Sequence, residues 1–175
     1  MLSKDDLAEL IFTDINAFNK EIASSKSTID LSEIDFSNLN IEGVEFVNVD
    51  LTSSSFADGH LVNVKFSDCD LTSVDFTRVN LVECSFIEST LNGADFSYST
   101  ADYCNFSDSD LAGAIFQGAD LTNSDFSMSE NLSASRFDEE TVWPDNEYLP
   151  EDFDTTCSSD LSSLKDDDEY EPLDY

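Results

Sequence analysis

Residues 76–96 read FTRVNLVECSFIESTLNGADF, with a large apolar side chain at every fifth position. The same spacing continues in both directions without a slip, from Leu31 to Phe126. Of these twenty positions, nineteen hold Leu, Ile or Phe, and the exception is Ala101. Neither the 3.6-residue period of a helix nor the two-residue period of a strand produces this spacing. A repeat of fixed period predicts a solenoid, in which each repeat buries its apolar face against its neighbours.

The position two residues before each apolar centre is also restricted. From Ile29 to Ser124 it is never charged and never larger than Leu. Each five-residue unit therefore points one small and one large side chain into the core, and its other three positions face water. Three cysteines fall on the small inward position, so we expect buried thiols rather than a disulfide or a zinc site. They are Cys69, Cys84 and Cys104.

The units GADFS (93–97), GADLT (118–122) and NSDFS (123–127) resemble the pentapeptide-repeat family of bacterial type, whose pattern is roughly A-(D/N)-(L/F)-x-x. The resemblance implies an all-β solenoid: a right-handed quadrilateral parallel β-helix of about 5.5 coils, with four units per coil. Residues twenty apart would then stack on the same face. We number the faces from the unit centred on Leu31, so phenylalanine ladders on faces two and four oppose each other across the core.

Four segments are expected along the chain. Residues 1–28 carry an apolar stripe at helical spacing, which predicts one capping helix over the open end of the solenoid, with a partner-binding helix as the alternative. Residues 29–137 form the β-helix, and residues 154–175, acidic and poor in apolar side chains, form a disordered tail. Between them, residues 138–153 form an irregular C-terminal cap on five apolar side chains: Val142, Trp143, Tyr148, Leu149 and Phe153.

The charge of the chain excludes several functions. It carries 39 acidic and 7 basic residues, a formal net charge of −32. Direct nucleic-acid binding needs Lys and Arg to replace phosphate counterions, and an anionic membrane surface would repel this chain. No apolar run approaches the roughly 18 residues of a spanning helix, and the acidic N-terminal residues do not fit a signal peptide. We therefore expect a cytoplasmic protein without a membrane partner.

The sequence holds no recognisable catalytic constellation. It has no glycine-rich phosphate loop and no G-x-S-x-G motif, and its single histidine, His60, falls on an outward position. Carboxylate pairs are present, but a smooth rod offers no cleft, and the EF-hand spacing for calcium is missing. We expect a non-enzymatic protein with no cofactor and no metal. At Ala101, local repacking and a ligand cavity are both compatible with the small side chain.

The remaining signal is the acidic rod itself. The main hypothesis is a protein–protein interaction or scaffold protein of unknown target. The family resemblance implies an alternative, since some members mimic DNA and protect DNA gyrase or another type II topoisomerase from quinolones or toxins. The net charge of −16 on residues 29–137 corresponds to about one charge per 1.6 Å of rod, close to the value for duplex DNA. The four faces of residues 29–128 have nets of −5, −3, −4 and −4, which predicts acidity on all sides.

Two sets of outward residues are candidate contact surfaces for a protein partner, such as the basic DNA-binding protein gyrase. The protein itself is expected to be a monomer or a homodimer. The apolar set has an alternative explanation, because Val and Ile also suit strands for their β-propensity. The acidic set is Asp30, Asp50, Asp70, Asp110, Asp35, Asp75 and Asp95. The apolar set is Val47, Val62, Val82, Ile87, Tyr98 and Tyr103.

Overall fold

The computed structural model describes residues 2–156. Two helices come first, α1 (Lys4–Thr13) and α2 (Ile15–Ser24). Eight short strands follow: β1 (Ile29–Asp30), β2 (Asn40–Glu42), β3 (Glu45–Val47), β4 (Val49–Asp50), β5 (His60–Val62), β6 (Lys65–Ser67), β7 (Asn80–Val82) and β8 (Thr100–Asp102). Two 3₁₀ turns, Leu132–Ala134 and Asn146–Tyr148, lie near the C-terminal end.

Parallel pairing joins residues twenty positions apart, as four units per coil require. On face three, His60 pairs with Asn40 on one side and with Asn80 on the other, within the sheet β2-β5-β7-β8. Single bridges continue the same register where the pairing is too short to count as a strand. Face one shows six successive rungs: Asp30, Asp50, Asp70, Thr90, Asp110 and Glu130. The predicted four-faced parallel β-solenoid is confirmed.

The core consists of the two predicted phenylalanine ladders and the two aliphatic ones. Rings in one ladder stack on those one coil away, as Phe66 does on Phe86 with centroids 5.0 Å apart. Rings of the two ladders meet edge to face, as Phe76 and Phe86 do at 5.7 Å. Both arrangements suit the ring quadrupole, so each ring gains contacts along and across the core. From Phe36 to Phe126 these rings are at most 1% exposed.

Each corner of the rod contains a residue in the left-handed region, two positions after the apolar centre. Nineteen successive units, from Glu33 to Asn123, have φ between 51° and 70° there. Only four of these residues are Gly, so fifteen corners hold a side chain where left-handed backbone costs roughly 1–2 kcal/mol. This strain is offset by the large side chain that each unit buries.

The N-terminal cap differs from the single helix predicted for residues 1–28, because the chain breaks at Asp14. The Asp14 side chain accepts the backbone N–H of Ala17 at 3.0 Å and caps a second helix, which the continuous apolar stripe concealed. Helix α2 then lies on face four of the first coil, where Phe18 meets Phe46 at 5.4 Å. The amide of Asn19 donates to the Gly43 carbonyl and accepts the Glu45 N–H, replacing the bonds of a missing coil.

The C-terminal end departs from the regular register. Rungs shift from a spacing of twenty to twenty-one where Ile115 pairs with Arg136, and to twenty-two where Asp120 pairs with Val142. Trp143 then packs against the ends of both phenylalanine ladders, at 5.6 Å from Phe116 and 5.8 Å from Phe126.

The other side chains expected in this cap divide into two groups. Leu149 is buried and Phe153 is half-buried, but Val142 and Tyr148 are exposed because their backbones, not their side chains, extend the rungs. Residues 154–156 are exposed. The prediction of a disordered tail covers residues 154–175, of which residues 157–175 lie outside the described part of the chain.

Candidate functional site

The seven predicted acidic residues occupy two neighbouring columns of the rod. Asp30, Asp50, Asp70 and Asp110 lie at the start of face one, with Thr90 between the last two. Asp35, Asp75 and Asp95 lie at the start of face two, with Ser55 between the first two. Within a column, successive carboxylates are about 4.8 Å apart, the spacing of paired strands.

All seven carboxylates also have a structural task. Each accepts the backbone N–H two residues further along, at 2.8–3.2 Å, and so closes the corner that follows. Hydrogen bonds from Lys4 and Ser32 lower the pKa of Asp30 to about 2, and those from Ser37 lower the pKa of Asp35. The seven aspartates therefore contribute to the stability of their corners whether or not they bind a partner, although Thr90 and Ile115 occupy equivalent positions without a carboxylate.

A further column of acids lies beside the first one, and sequence reasoning missed it. Asp68, Glu88 and Asp108 are left-handed corner residues at the end of face four, next to the aspartates that begin face one. Together with Glu130 they complete an edge of eight acids over six rungs, and Lys4 of α1 pairs with the first of these acids, Asp30, at 2.9 Å. We call this the acidic edge: Asp30, Asp50, Asp68, Asp70, Glu88, Asp108, Asp110 and Glu130. A groove of about 460 Å³ lies along it, lined by Asp50, Asp68, Asp70 and Glu88 among others.

The signal that could have revealed the second column is the corner conformation. Left-handed backbone favours Gly, Asn and Asp, and eleven of the nineteen corner positions hold one of these three residues. The corner position shows that residues assigned to the end of one face share an edge with residues at the start of the next.

The expectation of even acidity is wrong once residues are grouped by edge. Within residues 29–128 the acidic edge has a net charge of −7, and the diagonally opposite edge, between faces two and three, has −1. On that opposite edge Arg78 binds Asp58 with two bonds of 2.7 and 2.8 Å, which lowers the pKa of Asp58. The two remaining edges have −4 each, so the charge of the rod falls from one strongly negative edge to a nearly neutral edge diagonally opposite.

Folding alone does not account for this concentration of charge. Like charges on paired strands repel, and Asp50 faces Asp30 and Asp70 directly across the ladder. Asn satisfies a left-handed corner as well as Asp does, without a charge. Glu88 has neither a preference for this conformation nor a side-chain partner among residues 2–156. The charges of Asp68, Glu88 and Asp108 thus add repulsion to this edge without stabilising the fold.

The six predicted apolar residues do not form one exposed patch. Val62 and Val82 pair on face three and are half-buried. On face four, Ser67 pairs with the exposed Val47 and separates it from the half-buried Ile87. Tyr98 and Tyr103, both more than 60% exposed, lie on the two edges that flank face three.

Tyr98 gives a matched test of how corners are packed. A Cβ atom on Gly118 would lie 2.7 Å from the Tyr98 ring, whereas one on Gly93 would meet nothing closer than 3.8 Å. Both glycines have nearly the same φ, so Gly118→Ala and Gly93→Ala share the left-handed strain of roughly 1–2 kcal/mol. We expect Gly118→Ala to lower the free energy of unfolding, measured in urea, by about 1 kcal/mol more than Gly93→Ala does. It should also shift the Tyr98 ring signals in NMR spectra. Equal losses would show that the ring does not rest on this corner.

The buried thiols are placed for packing. Burial raises the pKa of Cys69 to about 12, and a hydrogen bond shared with Cys84, together with burial, raises that of Cys104. All three inward cysteines are unpaired. Ala101, 1% exposed, accepts a bond on its carbonyl from Ser124 at 2.7 Å.

Within residues 2–156, no group of three or more His, Cys, Asp or Glu side chains is arranged to hold a metal ion. Neither helix in this part of the chain has the length and apolarity to cross a membrane.

Family models match the coils described above. The model of the pentapeptide repeat region matches residues 27–96, and that of pentapeptide repeats in eight copies matches residues 91–127. The chain therefore belongs to the pentapeptide-repeat family. A search of curated protein sequences found no match.

Solved structures of this family resemble the rod. A pentapeptide repeat protein of the cyanobacterium Cyanothece 51142, Rfr23, is 17% identical over 81% of this chain and 99% of its own, with a TM-score of 0.64. QnrB1, a plasmid-mediated fluoroquinolone resistance protein, is 22% identical over 66% of this chain and 64% of its own, with a TM-score of 0.43. A protein of the Arabidopsis thaliana thylakoid lumen is 26% identical over 57% and 72%, with a TM-score of 0.34. The first of these supports the fold.

Proposed function

We propose that this protein is a non-enzymatic interaction protein whose acidic edge binds a basic surface of a protein partner. The observation that supports it is the second acidic column, Asp68, Glu88 and Asp108, which crowds charge onto one edge without a structural need. A basic partner would convert this repulsion into attraction, because its Lys and Arg side chains would lie between stacked carboxylates. The rest of the rod would then serve as a rigid support.

The test uses two variants with the same net charge. The edge variant carries Asp68→Asn, Glu88→Gln and Asp108→Asn, and the control variant carries Glu42→Gln, Glu83→Gln and Glu139→Gln. All six side chains are exposed, and none is among the aspartates that close corners. We expect both variants to fold like the wild type.

Affinity capture from a lysate of the native host, followed by mass spectrometry, compares the three proteins. A partner of the acidic edge should be retained by the wild type and the control variant, released by moderate salt, and lost with the edge variant. Equal retention by the edge and control variants would mean that general acidity, not this edge, attracts the partner, and would end the proposal.

A second candidate function, DNA mimicry directed at a type II topoisomerase, rests on the spacing of the same charges. Without Asp30, which Lys4 neutralises, seven carboxylates lie on the five rungs from Asp50 to Glu130, about 19 Å, and give one charge per roughly 3 Å. A single DNA strand presents one phosphate per 3.4 Å of axis, so the edge matches one strand rather than the duplex. The charge density of the whole rod is a poorer measure, because charges on opposite edges cannot all face one partner.

Gyrase supercoiling assays test this candidate. A mimic at micromolar concentration should inhibit supercoiling or protect the enzyme from a quinolone, the control variant should act similarly, and the edge variant should be at least about tenfold weaker. If the wild type has neither effect, the candidate fails for gyrase, while the broader proposal of a basic protein partner is unaffected.

A further inference from the structure

The N-terminal cap carries an aromatic side chain that the fold leaves in water. The chain has 14 phenylalanines, and all the others in the coils and caps are buried or half-buried. Phe12, near the end of α1, is 62% exposed. Single exposed apolar side chains are common on protein surfaces, so Phe12 indicates a contact only together with a site that can receive it.

The same cap also contains a groove. It lies between the N-terminal end of α1, the C-terminal end of α2 and the first coil, with a volume of about 660 Å³. Leu2, Leu7 and Ile29 supply its apolar lining, and Lys26 lies at its rim. Lys26 is exposed and forms no salt bridge with residues 2–156.

Charge identifies what can approach this cap. Residues 1–28 have a net charge of −2 and hold three of the seven bases, whereas residues 29–137 have −16. Two copies of this chain would repel each other along the coils, and the cap is where that repulsion is weakest. Asp5 and Glu9 share the exposed side of α1 with Phe12, at spacings of seven and three residues. The groove lining is balanced in charge, with Lys4 paired to Asp30 and with Lys26 and Glu21 beside them, so it does not repel a second copy as the coils do.

We propose that the N-terminal cap is a self-association surface, in which Phe12 of one copy inserts into the groove of a second copy beside Lys26. The groove is completed only by a residue of the partner, and a two-fold pair would fill both grooves. Of the acidic edge only Asp30, already paired with Lys4, lines this groove, and the other seven acids remain free in such a dimer, so the contact leaves the proposed site for a basic partner open.

Analytical ultracentrifugation of the full chain tests the contact, because salt acts on it in a characteristic direction. Screening weakens the repulsion between two chains of net charge −32 more than it weakens the few attractions to Lys26, so the dimer should become tighter between about 0.05 and 0.5 M salt, the opposite of what a basic partner should show. Phe12→Ala, which suits a helix, should weaken self-association about 30-fold, while Tyr103→Ala, equally exposed on the coils, should not change it.

Cross-linking tests the register of the contact. In a Cys157→Ser background, Glu9→Cys and Lys26→Cys proteins are mixed and treated with a short bismaleimide. A 9-to-26 cross-link should dominate and should disappear when Phe12→Ala is added. A protein that stays monomeric at all salt concentrations, or a Phe12→Ala variant that associates like the wild type, would overturn the proposal. Both outcomes leave the capture experiment with the acidic edge unaffected.

Discussion

Phe86→Ala should be among the most destabilising single substitutions in this protein, lowering the free energy of unfolding by about 3–5 kcal/mol. The ring is fully buried near the middle of the rod. It stacks on Phe66 at 5.0 Å and on Phe106 at 4.8 Å, and it meets two rings of the opposite ladder edge to face. Truncation removes all four aromatic contacts and leaves a cavity that the neighbouring coils, fixed by their backbone ladders, cannot close. Urea unfolding followed by circular dichroism measures the loss.

Position in the array decides how this loss appears. Each coil of a solenoid contacts only its neighbours, so a defect in the middle weakens the coupling of the two halves. Phe86→Leu keeps most of the volume and should cost less than about 1.5 kcal/mol. Tyr103→Ala, on the surface, should stay within about 0.5 kcal/mol of the wild type. A loss below about 1 kcal/mol for Phe86→Ala would show that the ladder is loosely packed.

The coils were predictable because one pattern determines both their period and their core. A large side chain every fifth residue specifies the ladders, and four units per coil, taken from the family resemblance, align Phe66 with Phe86. The two-helix form of the N-terminal cap was harder to predict, since Leu7, Phe18 and Ile22 fit the apolar stripe of one continuous helix. The break at Asp14 results from a local competition: its backbone could continue α1, but its side chain instead accepts the Ala17 N–H and begins α2.

The candidate site was predicted in part, because the repeat assigns residues to faces and contacts happen at edges. Asp50 and Asp70 were found from their common position before the apolar centre. Asp68 and Glu88 come two positions after a centre, and only the left-handed turn brings them beside the next face. The same geometry divides the predicted apolar set, since Tyr98 and Tyr103 belong to different edges although they are five residues apart.

The distribution of side chains gives the rod two different sides. On the acidic edge, paired carboxylates such as Asp50 and Asp70 repel at about 4.8 Å, a spacing at which solvent reduces but does not remove the interaction. On the opposite edge, Arg78 neutralises Asp58 in the adjacent coil. The core tolerates this asymmetry because the repulsion is small beside the burial of two apolar side chains in every unit.

The second large effect is expected at the C-terminal end of the core, where Trp143 closes both ladders. Its indole lies 5.2 Å from Phe137 and 4.8 Å from Phe153, besides its contacts with the last rings of the coils. Trp143→Ala should therefore lower the free energy of unfolding of the last coil by about 3 kcal/mol. Because the defect lies at an end, that coil should unfold separately, while the coils around Phe86 keep their stability.

Hydrogen exchange separates this local event from global unfolding. In Trp143→Ala, the amides of Phe116, Leu121 and Phe126, which donate to Arg136, Val142 and Tyr148, should lose protection, whereas that of Phe86, which donates to Asn105, should keep it. Trp143→Phe is the matched control, because it keeps an aromatic ring and removes an indole N–H that is buried without a partner in residues 2–156. Trp143→Phe should lower the free energy of unfolding of the last coil much less than Trp143→Ala does. Protection lost equally from Phe86 and Phe126 would mean that the rod unfolds as one cooperative unit and that Trp143 stabilises all of it.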